Sequence, residues 1–176
     1  MAKKNYREAL KEEFETVIVG LGLSDLQVSY VRMRWLDQVL WMEGKAEQAR
    51  ANYYTYRLAA IVAGLIVPAL VGFNSGTEYT DQIRILTVIL SLGAAISTGI
   101  ESLYHYGDRW RSYRSTVELL KIEGWRYFEL SGKYRGHKDH KKAFDLFSEQ
   151  VEAIIQADIK TYREITKEKG SPDRSS

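Results

Sequence analysis

The chain has 176 residues, with 25 Lys and Arg against 23 Asp and Glu, a net charge of +2 and a pI near 8.6. That balance is too mild to point to nucleic acid. With no cysteine, disulfides, thiolate metal sites and cysteine nucleophiles are excluded. The length suits a single domain. A mean hydropathy of −0.32 with 27% charged residues reads as soluble until the charges are placed along the chain. They are absent from Leu58 to Thr77 and again from Ile85 to Ile100.

The start, Met1 to Lys11, is charged and lacks a short apolar core, so no cleaved signal peptide is expected. Residues 1–23 read as a cytosolic arm, with a short helix over Tyr6–Val19. Ser24-Asp25 makes a good helix N-cap, and no proline follows until Pro68. Residues 24–130 are predicted to form a long antiparallel helical hairpin with membrane spans near 56–73 and 83–103. The first span reads Leu58 to Phe73; with Tyr53, Tyr54 and Tyr56 before it, it reaches about 20 residues, one bilayer crossing. The second runs from Ile85 to Ile100 and on to Tyr104, with Arg84 able to snorkel at its outer end. A pair of buried helices in a soluble bundle is the other reading. Small bundles seldom need stretches this long that are apolar all round.

The expected fold is therefore all-α: an integral membrane two-helix hairpin whose long helices extend into a cytosolic helical stalk, plus a C-terminal amphipathic helix. No proline occurs between Asp81 and Leu130, so each arm reads as about 45–50 residues, or roughly 70–75 Å. Lys45, Arg50 and Arg57 precede span one, and Arg109, Arg111, Arg114 and Lys121 follow span two. The connection 74–82 holds only Glu78 and Asp81 among charged residues, so both termini are expected in the cytosol. Tyr104, Tyr106, Trp110 and Tyr113 match the tyrosines at 53, 54 and 56 as one aromatic belt.

A hairpin turning near Tyr79 pairs residues whose numbers sum to about 158. The structural ion pairs expected are Arg57 with Glu101, Arg50 with Asp108 and Glu47 with Arg111, then Asp37 with Lys121 and Asp25 with Lys133. Arg32 against Arg126 is a mismatch. Tyr30, Trp35, Trp41, Trp125 and Tyr127 are expected to build the stalk core. Ser131–His140 reads as a linker over 131–140, and 141–169 as an amphipathic helix carrying Phe144, Phe147, Val151, Ile154, Tyr162 and Ile165. Residues 170–176 read as a disordered tail.

Several short groups carry a resemblance. They are Arg34-Trp35-Leu36-Asp37-Gln38-Val39, Tyr53-Tyr54, Arg57-Leu58 and Ile66-Val67-Pro68-Ala69-Leu70-Val71. Trp110-Arg111, Tyr113-Arg114, Glu118-Leu119, Lys121, Glu123 and Phe147-x3-Val151-Glu152 follow. Together, over about Ser24 to Lys160, the chain resembles the SLATT superfamily of bacterial two-transmembrane proteins, in a branch of unknown function. The resemblance implies an oligomerising, pore-forming membrane effector, in some cases associated with nucleotide-signal defence systems. No nucleotide-sensing domain is recognisable here, so any stimulus is expected from elsewhere.

Enzyme signals are poor, and no catalytic residue is expected. His137 and His140 sit in a glycine-containing basic loop, better read as solvated than as a metal site. Gly20-Leu-Gly22 is too short for a phosphate loop. In span two, Thr87, Ser91, Ala94, Thr98, Glu101 and His105 recur at steps of four and three, along one helix stripe. The stripe either lines an aqueous pore, with Thr87, Ser91, Ala94, Thr98 and Glu101 as lining, or glues helices together. Gly93-x3-Ser97 and Ala95-x3-Gly99 offer small faces for close approach, as does Ala60-x3-Gly64 in span one. Glu101 reads either as a carboxylate ring or as the partner of Arg57. Glu78 and Asp81 form an outer acidic mouth that concentrates cations, against which Arg84 counts.

The leading expectation is a homo-oligomeric, cation-conducting membrane channel. The alternative is a membrane-anchored scaffold or effector module whose cytosolic helices bind a protein partner. No cofactor is expected beyond a permeant ion. Expected partners are further copies of the chain in a closed ring and the lipid bilayer, with room for a cytosolic regulatory protein; nucleic acid is not expected. The expected location is the cytoplasmic (inner) membrane.

Overall fold

The computed structural model describes residues 6–73 and 80–168, with side chains throughout except at 73 and 161–168. No strand occurs among them. The helices are α1 (Tyr6–Gly20), α2 (Asp25–Tyr30), a π-helical segment (Val31–Leu36), α3 (Asp37–Phe73), α4 (Thr80–Tyr104), α5 (Tyr106–Phe128), a 3₁₀ turn (Gly132–Tyr134) and α6 (His140–Glu168). The all-α expectation holds. Ser24 caps α2 through a reciprocal box: its hydroxyl accepts from the Gln27 N–H at 3.4 Å, and the Gln27 side chain accepts from the Ser24 N–H at 3.1 Å. From Asp25 the chain stays helical through the π segment and through Pro68, which does not end α3.

The second arm is not one helix. It breaks at His105, which takes the left-handed conformation with φ 49°. The His105 carbonyl then accepts the Asp108 and Arg109 N–H groups, both at 3.1 Å, and so starts α5. Histidine is among the few non-glycine residues that tolerate this conformation.

The described residues form two compact units. One takes the chain up to Lys45 and from Ser112 onward; the other is Ala46–Arg111. The first has an aromatic core. Trp35, Tyr127, Tyr134 and Phe147 are fully buried, with Phe14, Ile18, Leu36, Val39, Met42, Val117 and Leu120 around them. Phe14 and Phe128 meet Trp35 edge-on at 4.9 and 5.3 Å, and Tyr127 stacks on Phe147 at 4.2 Å. The Trp35 indole N–H, which burial would otherwise strand, donates to the Leu120 carbonyl at 2.9 Å. Gly124 lies flush against that indole, where a Cβ would fall 2.3 Å from Cζ2. Of the aromatic residues expected in this core, Trp35 and Tyr127 belong to it. Trp41 and Trp125 are instead about half exposed, at 51% and 48%.

α1 and α6 close this unit with charge as well as apolar contact. Arg32 on the π segment reaches Glu15 of α1 at 2.7 Å. Arg34 forks onto Glu152 of α6, with both hydrogen bonds at 2.7 Å. The Tyr30 hydroxyl donates to the same carboxylate at 3.0 Å. Arg34's hydrogen bonds hold the Glu152 carboxyl below the usual range, against the opposing effect of burial. α6 presents Ala143, Phe147, Val151 and Ile155 inward, at steps of four. The expected positions Tyr162 and Ile165 lie outside the described side chains, and the expected tail lies outside the described residues.

The second unit inverts this pattern. One face of each helix is shielded: Tyr56, Ala60, Ala63, Val67 and Leu70 on α3, and Ile83, Thr87, Leu90, Ala94, Ser97 and Glu101 on α4. Both series alternate steps of three and four, the period of a two-helix seam. The large apolar residues between them point outward, with Leu65 71% and Leu92 61% exposed. Both helices are long and apolar enough to cross a membrane, and almost none of either apolar stretch is buried.

Candidate functional site

The residues expected to line a pore divide between two faces of α4. Thr87, Ala94 and Glu101 are half-buried, on the shielded seam, whereas Ser91 and Thr98 are exposed beside it. At 100° per residue Ser91 and Thr98 stand next to Ala95, Gly99 and Ser102, all exposed, so a flank of small and hydroxyl side chains faces outward. The glycines here are open: a Cβ on Gly93, Gly99 or Gly64 would meet nothing within 4 Å. The Thr87 hydroxyl donates to the Ile83 carbonyl at 2.7 Å and the Thr98 hydroxyl to Ala94 at 2.9 Å. Both protons are thus satisfied within the helix, and neither hydroxyl needs water. Asp81 and Arg84 are exposed near the start of α4; Glu78 lies outside the described residues.

The end of the hairpin next to His105 is built of packed aromatic rings. Tyr53 contacts Tyr54 at 5.4 Å and Trp110 at 6.2 Å, while Tyr106 stacks between Tyr56 at 5.8 Å and Tyr104 at 5.5 Å. Gly107 makes this approach possible, since a Cβ there would sit 2.8 Å from the Tyr53 ring. These contacts join residues whose numbers sum to 160–164 (53 with 107, 56 with 106, 53 and 54 with 110 at 163 and 164), a few above the expected 158.

The charged residues settle differently from the number-sum rule. Arg50 lies over Tyr54 and Trp110, at 5.8 and 5.9 Å, and Arg57 over Tyr53 at 5.5 Å. Asp108 takes Arg111 from its own helix at 2.8 Å. Glu47 is exposed and Glu101 half-buried. In the other unit Lys121 goes to Glu43 at 3.0 Å where Asp37 was expected, and Lys133 to Glu123 at 3.0 Å where Asp25 was expected. The Arg32–Arg126 mismatch resolves itself, because Arg32 turns to Glu15 and Arg126 to Glu123. Glu43, 6% exposed, collects both Arg114 and Lys121. Glu123 receives the Tyr134 hydroxyl as well as Lys133. His137 and His140 each lie against a backbone carbonyl, of Tyr134 at 3.2 Å and of Phe128 at 3.0 Å. Among the described residues no group of three His, Cys, Asp or Glu side chains is placed to hold a metal.

Two features escaped the sequence reading. The exposed flank of Ser91, Ala95, Gly99 and Ser102 was visible only in its Ala95-x3-Gly99 part, although Ser91 stands four residues earlier. The approach of Arg50 to the Trp110 ring joins residues 60 positions apart, beyond any local pattern. Residues 37–142, more than half of the chain, match the model of a family described as protein of unknown function (DUF4231). No curated protein and no solved structure matches the chain significantly.

Proposed function

The chain belongs to the DUF4231 family, and on that premise we propose that it is a two-span membrane protein that assembles with copies of itself to pass ions. The observation that carries this reading is the outward-facing apolar surface of α3 and α4. A core helix of a soluble protein is mostly buried, and almost none of the apolar stretch of these two is. Water does not tolerate so large an apolar surface, whereas a bilayer requires it. Helices also satisfy every backbone group internally, as a span must.

Both termini lie on the cytosolic side. Arg50 and Arg57 flank one span and Arg109 and Arg111 the other at the same end, while the sequence of the 74–82 connection has no lysine or arginine. Assembly is supported by the α4 flank of Ser91, Ala95, Thr98, Gly99 and Ser102, which two helices of one chain leave uncovered. The exposed Ser91 and Ser102 hydroxyls are ill suited to lipid tails, and two spans alone enclose no water path. In a closed ring this flank, rather than Thr87, Ala94 and Glu101, faces the axis. The resemblance to SLATT effectors supports the same reading, with a signal delivered by a cytosolic partner. Asp81, together with Glu78 from the connection, favours cations at the outer mouth, while Arg84 opposes this.

The test is ion flux through purified protein in liposomes. Wild type is expected to conduct, and Ser91→Leu with Thr98→Leu to abolish conduction by dewetting the path. A monomeric protein, or flux indifferent to both changes, rejects the channel. Because the chain has no cysteine, single Ser75→Cys and Ser171→Cys probes report topology cleanly. External reagent is expected to label only the first, and the opposite pattern overturns the orientation. The second reading, a membrane-anchored scaffold, is supported by an exposed apolar line on α5 (Leu119 50%, Ile122 45%, Trp125 48%) that a cytosolic protein partner could cover. It is favoured if flux is absent and Leu119→Ser with Ile122→Ser abolishes a complex that wild type forms.

A further inference from the structure

We infer that the inner end of the hairpin is a binding site for the headgroup of an anionic phospholipid, with Arg50 as its principal ligand and Arg57 as its second. The inference rests on the membrane reading above and adds a specific ligand chemistry to it. Its basis is the way the two guanidinium groups are held. Arg50 lies over two rings at once, Tyr54 at 5.8 Å and Trp110 at 5.9 Å, and those rings stand 6.0 Å apart. A guanidinium lying beside aromatic rings, which take no strong hydrogen bond from it, retains N–H donors able to grip a phosphodiester with two parallel hydrogen bonds. Arg57 repeats the motif on Tyr53, seven residues on and so on the same face, about 10 Å further along the helix.

Depth selects the ligand. A span of about 20 residues ending at Phe73 begins at Tyr54, which places Arg50 four residues, or about 6 Å, beyond the hydrocarbon. That is the headgroup layer. Arg57 falls just inside the boundary and reaches the same layer by extending its side chain. Tyr104, 46% exposed, adds an amphipathic ring at the inner end of the hairpin, suited to the glycerol backbone. The carboxylates of this unit do not cancel the site. Asp108 is engaged by Arg111, and Glu47, Glu101 and Asp108 together stand against four arginines, the fourth being the exposed Arg109. Phosphatidylcholine carries the same phosphodiester, so the planar guanidinium groups fix the phosphate and thereby bring the choline ammonium against the arginines, whose repulsion of it supplies the discrimination.

The platform has a visible support. Gly107 is buried beneath Tyr53, and any side chain there displaces the ring that carries Arg57 and touches Trp110. Geometry and charge can therefore be separated by mutation.

The experiment titrates the full-length protein in detergent with dioleoyl phosphatidylglycerol or dioleoyl phosphatidylcholine, reading retained lipid by native mass spectrometry and the thermal midpoint by circular dichroism. Wild type is expected to prefer phosphatidylglycerol about tenfold, the effect of one choline ammonium held near two guanidinium groups. Arg50→Gln with Arg57→Gln should remove the preference. Arg50→Lys, which keeps the charge and loses the planar fork, should not restore it, and Gly107→Ala should weaken it with every charge in place. Equal retention of both lipids by wild type, full preference in the double glutamine variant, or full rescue by lysine each overturns the inference. Glycerophosphoglycerol, the same phosphodiester headgroup without acyl chains, should not displace the lipid at equal concentration; if it does, the site is one for free phosphate diesters and the lipid assignment falls. Carbonate extraction of cell membranes separates the two levels. A protein released by carbonate refutes the membrane reading itself, while a carbonate-resistant protein without the preference refutes only this site.

Discussion

The two units of the chain are built from the same helical backbone and solve opposite problems. Up to Lys45 and from Ser112 the large side chains point inward, and Trp35, Tyr127, Tyr134 and Phe147 have no exposure. Between Ala46 and Arg111 only one narrow face of each helix is shielded, and most Ile, Leu and Val side chains point out, Leu65, Val88, Ile89 and Leu92 among them. The first arrangement excludes water from a core; the second leaves a long apolar surface exposed. Composition averaged over the chain hides this, since the two patterns cancel in a single hydropathy value. Side-chain size on the seam is the better guide. Ala60, Ala63, Ala94 and Ser97, all on the shielded face, let the two helices approach closely.

Truncation at a buried site should therefore cost far more in the first unit than truncation of an outward residue in the second. Trp35→Ala is expected to lower stability by about 3–5 kcal/mol, through the lost indole and the cavity between Phe14 and Phe128. Leu92→Ala, at a 61% exposed position, should change the unfolding free energy of the detergent-solubilised protein by less than about 0.5 kcal/mol. Chemical denaturation read by tryptophan fluorescence measures both, and equal losses would break the contrast.

A smaller effect is expected at Glu43. Its carboxylate, 6% exposed, holds Arg114 and Lys121, and the Lys121 side chain is itself only 12% exposed. Glu43→Ala leaves that ammonium without its nearest counter-charge and should cost about 1–3 kcal/mol. The companion Lys121→Met is expected to recover part of the loss. A double variant no better than the single would mean that the pair contributes nothing beyond packing.

At the break between α4 and α5 a gain is expected. His105 is held at φ 49°, a conformation that glycine adopts without steric penalty. His105→Gly should stabilise by up to about 1 kcal/mol, net of the added freedom of the unfolded chain. A loss on the same denaturation curve would mean that the imidazole contributes more than its backbone strain costs.

The last expectation concerns acid. Arg34 and Tyr30 hold the Glu152 carboxyl below its ordinary value. A depressed carboxyl contributes stability that is complete above the unfolded value, about 4.3, and is lost as pH falls from there through the folded value. Thermal midpoints measured downward from pH 5 should fall more steeply for wild type than for Glu152→Gln, and parallel curves would remove Glu152 from the account. Both partners are more than a third exposed, so the difference should be the smallest of these effects.

Much of this was legible in the sequence, and the failures share a cause. Charge-free runs marked α3 and α4, Ser24 marked a helix start, and spacing marked α6. The break at His105 carries no proline or glycine at the residue itself; its one trace is Gly107, whose reason is the ring of Tyr53. The ion pairs were set by backbone register alone, but long side chains reach a turn in either direction. Lys121 thus met Glu43, six residues from its expected partner, and α1 supplied Glu15 from outside the hairpin altogether. The stripe on α4 was ambiguous in principle. A spacing of threes and fours describes a water-lined face and a packing seam equally well, and only exposure divides Thr87, Ala94 and Glu101 from Ser91 and Thr98.

The π-helical segment has a consequence for how this helix tolerates length changes. Each of its hydrogen bonds spans one residue more than in an α-helix, as where the Asp37 N–H reaches the Arg32 carbonyl. Val31–Leu36 is therefore an α-helical frame holding one surplus residue. Met33, 74% exposed, is the member of the segment with least to anchor it. Deleting Met33 should relax the segment to α-helix and leave the frames of Asp25–Tyr30 and of everything after Asp37 in their present phase. A deletion in α3, with no surplus to absorb it, would turn all later residues of that helix by about 100° and carry outward leucines onto the seam.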